Sequence, residues 1–340
     1  MKALWICLAI VTFFWTEPIA WGQTEDAPFG HSLLDQWRVG EAEALAQTLL
    51  KNHPDSGDAH LLMARVRFFQ GQYDAAWNAM KRLADRQREV KEFKSLVDQT
   101  RQATAAFVSR ETEHFIFRFT KGPDEILVHY AEEVLERSWQ VLGTLLDYFP
   151  KEKVLVEFYP DKESFSHISP LTIQDITTSG TVALCKYHRI MMISPASLVR
   201  GYNWMDTLSH EFTHYLLSKK SNNNLPLWLN EGIAKNFETR WRNGSSPLEP
   251  VMENILSQGL ANNYLIPLEN MMPSLAKLKT AEDVQLAYAQ AATMVDYMVS
   301  LKGEKVLVAL LNDMAMEVPQ SLEKHLGKNS SEFQEDWKAF

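Results

Sequence analysis

The sequence predicts an α+β protein that is mostly helical and contains a small mixed β-sheet. Residues 32–107 show helix-period apolar patterns with frequent small residues, residues 114–194 contain short strand-like runs, and residues 204–241 return to helical patterns. The chain has 340 residues, of which 46% are hydrophobic and 23% charged. This composition is typical of a globular protein with one large domain or two ordinary ones.

The first 22 residues have the pattern of a secretory signal peptide. Lys2 precedes an apolar run over residues 3–15, and the small residues Ala20 and Gly22 stand at positions −3 and −1 of a candidate cleavage site. The alternative is an uncleaved membrane anchor, although the apolar run is short for a bilayer span. We therefore expect an exported protein of the periplasm or cell envelope, or a secreted one, without a stable membrane span after cleavage.

Charge and cysteine content restrict the partners and the chemistry. Removal of residues 1–22 takes away one Lys and one Glu, so the net charge stays at −9, which argues against nucleic acid or anionic lipid as the main partner. Cys7 would be removed with the signal peptide, and Cys185 then has no second cysteine to pair with. We expect Cys185 to be a buried, inert thiol rather than a nucleophile.

Residues 30–107 form a predicted helical-repeat segment. The pattern W-x-V-x-x-A from Trp37 recurs as G-x-Y-x-x-A from Gly71, a separation of 34 residues, and this period matches a tetratricopeptide repeat. Only about two degenerate units fit, fewer than the roughly three that a free-standing solenoid needs, so we expect the segment to pack on the next domain. Residues 32–107 then form either a groove for a protein partner or a helical spacer.

The next part of the chain predicts a small sheet with one covering helix. Strands are expected over His114–Thr120, over Val154–Tyr159, and as a pair within residues 180–194 around a turn at His188. A helix is predicted over residues 124–150, between the first two strands. Its expected buried stripe consists of Ile126, Ala131, Val134, Leu135, Trp139, Leu142 and Leu146.

The octapeptide L-S-H-E-F-T-H-Y at residues 208–215 contains the pattern H-E-x-x-H. On a helix predicted from Trp204 to about Lys219, His210 and His214 lie one turn apart and can present imidazole nitrogens to one metal ion. A catalytic zinc site takes three protein ligands, so a third ligand must come from elsewhere in the chain.

A second helix, L-W-L-N-E-G-I-A-K-N-F-E-T-R-W, is predicted to start after Pro226 and to run to about Trp241. Because a short polar loop joins the two helices, they can form an antiparallel hairpin that brings Glu231 alongside the two histidines. We therefore predict Glu231 as the third ligand. Glu238, seven residues later on the same face, either orients a ligand or is a solvated carboxylate.

H-E-x-x-H followed by W-L-N-E-G-x-A resembles the gluzincin metallopeptidases. Specifically, it resembles the peptidase MA-like proteins that carry tetratricopeptide repeats ahead of a thermolysin-like catalytic domain, and the resemblance spans most of residues 30–310. It implies a zinc metallopeptidase domain over residues 111–340. The sheet would occupy residues 111–200, the metal helices residues 203–241, and a C-terminal helical part residues 248–340.

The resemblance also implies roles for individual residues. His210, His214 and Glu231 would bind one zinc ion, and Glu211 would be the general base. Tyr288, in A-Y-A-Q-A-A-T-M-V-D-Y, is similar to the tyrosine whose hydroxyl steadies the transition state in that family.

Two departures from the family pattern leave the subfamily and the substrate open. Gly180-Thr181-Val182-Ala183 stands where the aminopeptidase branch has G-x-M-E-N, so exopeptidase action has no support. Lys235 occupies the place of the aspartate in the N-E-x-x-x-D segment of thermolysin.

These residue types suit hydrolysis of a peptide bond by a metal-activated water. Two imidazoles and a carboxylate leave one position of Zn²⁺ open for water, whose proton Glu211 can accept and pass to the leaving amine. A phenol such as Tyr288 can hydrogen-bond the developing oxyanion. Two other interpretations stay open: a catalytically inactive, zinc-containing envelope scaffold that acts through its repeats, and a helical array with an accidental motif.

Overall fold

The computed structural model describes residues 26–81, 83, 88–122, 124–198, 201–242, 248–271, 278, 280–313 and 318–340. The predicted signal peptide, residues 1–22, lies outside the described residues. In the described part the fold is mostly helical with a small mixed sheet, so the predicted fold class is confirmed. No helix in these ranges is long and apolar enough to span a bilayer.

The N-terminal part is a run of packed helical hairpins. Small residues let the helices approach closely, and Ala42, Ala59, Ala64 and Ala76 are fully buried between them. The Ser56 side chain accepts a hydrogen bond from the Ala59 backbone N–H at 3.3 Å and so caps the third helix. The helices are α1 (Ala27–Asp35), α2 (Val39–Asn52), α3 (Gly57–Phe69), α4 (Tyr73–Met80) and α5 (Arg88–Ala103).

Among the described residues, five strands form one mixed sheet in the order β1-β2-β3-β5-β4. The strands are β1 (Phe107–Glu111), β2 (Phe115–Thr120), β3 (Val154–Tyr159), β4 (Ala183–Lys186) and β5 (Arg189–Ile193). The central strands β2, β3 and β5 are parallel, whereas β1 and β4 pair antiparallel at the two edges. The sequence does not predict β1, because most of its side chains are exposed and give no apolar alternation.

The covering helix is α6 (Asp124–Leu146), which packs against β2. Most of its predicted stripe is buried or partly buried, but Ile126 is 63% exposed, so the prediction for that residue is wrong. The buried face begins at Asp124 and continues at Val128. Ile126 lies two residues from each of them, which places its side chain on the opposite side of the helix.

Two short helices that the sequence does not predict, α7 (Lys162–Ile168) and α8 (Ile173–Ser179), lie between β3 and β4 in the chain. The Asp161 side chain caps α7 by accepting a hydrogen bond from the Ser164 backbone N–H at 2.7 Å. Phe165 packs with Tyr159 and other apolar side chains in a second, smaller core on the other face of the sheet.

The two predicted metal helices are α9 (Trp204–Lys220) and α10 (Leu227–Phe237). The prediction that α10 extends to Trp241 is wrong, because residues Arg240–Arg242 form a 3₁₀ turn instead. In this turn the Trp241 indole Nε1 donates to Asp206 Oδ1 at 2.9 Å. The later helices are α11 (Pro250–Ala261), α12 (Leu268–Met271), α13 (Ala281–Lys302), α14 (Lys305–Asn312), α15 (Val318–Leu326) and α16 (Ser330–Ala339).

The N-terminal helices pack directly on the sheet, as the small number of repeat units predicts. Glu157 on β3 is fully buried and accepts hydrogen bonds from the hydroxyls of Tyr73, at 2.6 Å, and Tyr159, at 2.7 Å. Arg189 Nε on β5 lies 3.1 Å from the Glu157 carboxylate, and its guanidinium lies 4.6 Å from the centre of the Phe68 ring. One continuous apolar core therefore joins the repeat segment to the rest of the protein.

Candidate metal centre

Helix α9 carries the central part of the candidate site and is buried along most of its length. Helices α6 and α10 and strand β4 pack around it, and every residue from Asp206 to Ser218 is buried. Polar side chains in such a position need hydrogen-bond or ionic partners, because an unpaired buried polar group costs free energy.

The antiparallel packing of α9 and α10 brings together the three residues that the sequence selected as metal ligands. His210 Nε2 and His214 Nε2 lie 3.1 Å apart. The Glu231 carboxylate oxygen Oε2 lies 3.3 Å from His214 Nε2 and 3.6 Å from His210 Nε2. Within the described part of the chain, this oxygen is buried without a hydrogen-bond donor.

Both imidazoles are held through their other ring nitrogens. His214 Nδ1 lies 2.7 Å from Asn230 Oδ1, and His210 Nδ1 lies 3.2 Å from Glu238 Oε2. Because both partners are acceptors, each Nδ1 carries a proton, and Nε2 is the nitrogen of each ring that can bind either a second proton or a metal ion. Two such nitrogens next to a buried carboxylate oxygen form a site that favours a cation, which is a proton or a metal ion.

The charges around the histidines lead to the same conclusion. Burial lowers the pKa of His210, but Glu231 and Glu238 outweigh this effect and raise the pKa to about 10. Burial raises the pKa of Glu231, whereas His214 and His210 lower it to about 2. The site therefore favours a bound positive charge, and its two imidazole nitrogens and one carboxylate fit the ligand set of a catalytic Zn²⁺ site.

Glu238 is not a solvated carboxylate. Only 14% of its side chain is exposed, and its second oxygen accepts a hydrogen bond from Lys235 Nζ at 2.6 Å. Of the two interpretations that the sequence left open, the structure supports the one in which Glu238 orients His210. Lys235, at the position where thermolysin has an aspartate, therefore contacts Glu238, the residue that orients His210.

Glu211 follows His210 on α9 and is completely buried. Burial and, to a smaller extent, the charge of Glu211 raise the pKa of the Cys185 thiol on β4. Burial raises the pKa of the Tyr202 hydroxyl, and the charges of Asp124 and Glu211 add to this effect. The negative charge of Glu211 therefore disfavours the ionised forms of Cys185 and Tyr202, and Cys185 stays a neutral thiol.

Two further residues from the sequence analysis lie on other elements. Tyr288 is 5% exposed on α13, which packs against α10, and its catalytic role stays a prediction. His188 occupies the turn between β4 and β5, where its Nε2 lies 3.1 Å from the Tyr215 hydroxyl. His188 is not one of the residues whose ligand atoms converge.

Asn230 is a residue of the candidate site that the sequence patterns do not single out. It stands directly before Glu231 within the W-L-N-E-G-x-A motif, and its side chain contacts His214. The available signal was its position on a helix that packs antiparallel to α9, since an amide next to a ligand can reach the neighbouring imidazole.

Comparisons with known families match two separate parts of the chain. A family model described as Peptidase MA superfamily matches residues 157–340, which is more than half of the chain. A tetratricopeptide repeat model matches residues 33–99. Both resemblances inferred from the sequence are therefore confirmed. A search of curated proteins gave no significant match.

Proposed function

Because the chain belongs to the peptidase MA superfamily, we propose that it is an exported, zinc-dependent metallopeptidase that hydrolyses peptide bonds. The observation that carries this proposal is the convergence of His210, His214 and Glu231, whose ligand atoms all lie within 4.8 Å of one another. Three buried donors of these types are the protein ligand set of a catalytic zinc site.

His210, His214 and Glu231 are the proposed ligands of one zinc ion. When bound, zinc supplies Lewis acidity that activates water and polarises the scissile carbonyl. Asn230 and Glu238 hold the two imidazoles in the tautomers that present Nε2 to the site.

Glu211 is the proposed general base. Its carboxylate accepts a proton from the attacking water and passes it to the leaving amine nitrogen, so that the amine departs as a neutral group. The complete burial of Glu211 supports this role, because a carboxylate away from bulk water keeps the proton for the reaction. Tyr288 is proposed to donate a hydrogen bond to the oxygen on which negative charge develops.

Peptides or proteins are the proposed substrates, and the repeat segment is a candidate site for a protein partner. The signal-peptide pattern in residues 1–22 supports export to the periplasm or cell envelope. N-terminal sequencing of the protein recovered from cells tests this part, with Gln23 expected as the first residue. A mature chain that starts at Met1 in the cytoplasm would contradict it.

The catalytic part is tested by zinc analysis of the wild-type protein and by the Glu211→Gln variant. We expect about one zinc per chain in both proteins, and a fall in peptide hydrolysis by a factor of about 100 or more in the variant. Glu253→Gln, an exposed glutamate on α11, is the matched control and should keep wild-type activity.

Two results would contradict the proposal. A purified protein without zinc would contradict the proposed metal site. A Glu211→Gln variant that cleaves a peptide library as fast as wild type would contradict the proposed role of Glu211 as general base. A wild-type protein that binds zinc but cleaves no member of the library would instead favour the inactive scaffold.

A further inference from the structure

The turn between β4 and β5 has an unfavourable backbone conformation. Tyr187 and His188 both have positive φ, at 53° and 64°, and together they connect two antiparallel strands. Two-residue hairpin turns of this kind favour asparagine and glycine, because other side chains are strained in the left-handed region. Such a turn persists only where its surroundings hold it in place.

The surroundings of this turn come largely from the repeat segment. The Trp37 ring, between α1 and α2, contacts the His188 ring edge-on, with 5.5 Å between the ring centres. The rings of Phe68 and Phe69, at the end of α3, contact the Tyr187 ring at 5.2 and 5.8 Å. We call these five residues the repeat–turn junction.

Polar contacts fix how the repeat segment sits on the turn. The Arg189 side chain, directly after the turn, is fully buried and donates from Nη1 to the Phe68 carbonyl oxygen at 3.2 Å. The Asn223 side-chain amide, in the loop between α9 and α10, donates to the carbonyl oxygen of Asp35, two residues before Trp37, at 2.9 Å. Hydrogen bonds of defined geometry at Phe68 and next to Trp37 make the repeat–turn junction a specific contact rather than a general apolar one.

The repeat–turn junction continues into the candidate metal centre. Trp37 also contacts the ring of Tyr215 at 5.5 Å, and Tyr215 directly follows His214 on α9. Strand β4 ends at the turn, forms an edge of the sheet and packs against α9. Glu211 lies on α9, the helix against which β4 packs. A displacement of the turn would therefore move β4 relative to the general base.

We propose that the repeat segment is a positioning element of the metal centre and that Trp37 is its positioning residue. By holding the Tyr187–His188 turn, Trp37 fixes strand β4 beside Glu211. The catalytic consequence rests on the proposed peptidase function, whereas the effect on β4 can be measured without turnover.

The test compares Trp37→Ala with Trp77→Ala in the full-length protein. Trp77 is a partly buried tryptophan of the same segment that packs against Arg101 on α5, so it controls for general loss of packing. Hydrogen exchange of the backbone amides at residues 183–193 reports on β4 and β5, and peptide hydrolysis at full zinc content reports on the site.

We expect amide exchange at residues 183–193 to accelerate at least about tenfold in Trp37→Ala, and kcat/KM to fall by a similar factor through a lowered kcat, because the displacement acts at the general base. Trp77→Ala should change neither quantity, and Trp37→Phe should restore most of both. Unchanged exchange in Trp37→Ala, or equal effects of the two alanine variants, would overturn the proposal.

A pair of compensating substitutions in the turn distinguishes loss of positioning from loss of stability. It also provides a test if Trp37→Ala folds poorly. Tyr187→Asn combined with His188→Gly builds a turn that needs no support from Trp37. In the Trp37→Leu background, which keeps apolar volume but loses the ring contact with His188, this pair should return exchange and kcat/KM to wild-type values, and a further loss of either would overturn the proposal. Accelerated exchange in Trp37→Ala, together with a wild-type protein that hydrolyses no peptide, would support the positioning of β4 and refute only the proposed function.

Discussion

At the scale of single residues, the orientation of the two imidazoles decides whether α9 can bind a metal ion. Each Nε2 is available only because an acceptor on α10, or directly after it, holds the proton on Nδ1. The two acceptors differ in kind, since Asn230 is neutral and Glu238 is charged. A substitution of Asn230 or Glu238 should therefore reduce metal affinity more than it reduces the stability of the fold.

Asn230→Ala should lower zinc affinity by a factor of about 10 to 100, because His214 loses the acceptor that selects its tautomer. The affinity is measured by competition with a chromophoric chelator, which needs no substrate. Asn254→Ala, an exposed asparagine on α11, is the control and should leave the affinity unchanged. Equal affinities of Asn230→Ala and wild type would show that His214 is oriented by something else.

A second prediction at this scale concerns Glu152, which lies outside the metal centre. Its carboxylate lies 3.3 Å from His188 Nε2 and 2.7 Å from Lys219 Nζ. The hydrogen bond with His188 and the pairing with Lys219 lower the pKa of Glu152, although burial opposes them. The ionised form is therefore favoured by the fold, and its stabilising contribution is present above the ordinary pKa of 4.5 and lost as pH falls below it.

Glu152→Gln should consequently lower the free energy of unfolding by no more than about 1 kcal/mol at pH 7, because almost half of the Glu152 side chain is exposed. The difference from wild type should shrink as the pH falls below about 4.5. Urea titrations at several pH values measure it, with Glu323→Gln on the exposed side of α15 as control. A difference that grows as the pH is lowered would contradict the assignment.

At the scale of elements, the approach of α10 to α13 sets the position of Glu231. A side-chain Cβ at Gly232 would lie 2.5 Å from the Ala291 carbonyl oxygen, so only glycine allows the two helices to pack at this distance. The Asn236 side chain also donates a hydrogen bond to Asp296 on α13. Glu231 is adjacent to Gly232, and its carboxylate is therefore placed by this close contact.

Gly232→Ala should destabilise the protein by about 1 to 3 kcal/mol and reduce bound zinc, because the added methyl group meets backbone atoms that cannot rotate away. Gly40→Ala is the matched control in α2, where a Cβ would meet no described atom within 4 Å. It should be neutral or stabilising by up to about 1 kcal/mol. Full zinc content in Gly232→Ala would show that α10 shifts without displacing Glu231.

The elements also show which signals the sequence carries. The sequence predicts strands β4 and β5 because apolar runs flank a clear turn, and it predicts α9 because apolar and polar residues separate at helical spacing. Helix α7 has seven residues, too few for a periodic pattern to stand out. The end of α10 was placed too late because Trp241 leaves the helix to reach Asp206, a contact that local sequence does not encode.

In the candidate site too, some contacts follow from local sequence and others depend on tertiary packing. The one-turn spacing of His210 and His214 is a property of a single helix, and the approach of Glu231 follows from a short loop between two helices. The contacts of Asn230 and Glu238 with the imidazoles depend on how α10 is rotated about its axis. That rotation is set by packing of α10 against α13, which sequence patterns do not specify.

At the scale of the whole molecule, the buried ion pair of Glu157 and Arg189 joins the repeat segment to the sheet. Both side chains are fully buried, and Tyr73 from α4 completes the pair by donating to the carboxylate. Removal of one partner leaves an uncompensated buried charge, which is far more costly than the net value of the intact pair. The two parts of the chain should therefore lose their structure together.

We expect urea unfolding of the zinc-loaded protein to give one transition, with coincident curves from tryptophan fluorescence and far-UV circular dichroism. Glu157→Ala should shift this transition by about 3 to 5 kcal/mol, because Arg189 stays buried without its carboxylate. Glu113→Ala, whose side chain is 83% exposed beside His114, is the control and should change the free energy by no more than about 0.5 kcal/mol. A separate early transition of the repeat segment in wild type would show that this segment unfolds independently, although its apolar core is continuous with that of the sheet. The stability of the metal centre would then depend on residues 107–340 alone.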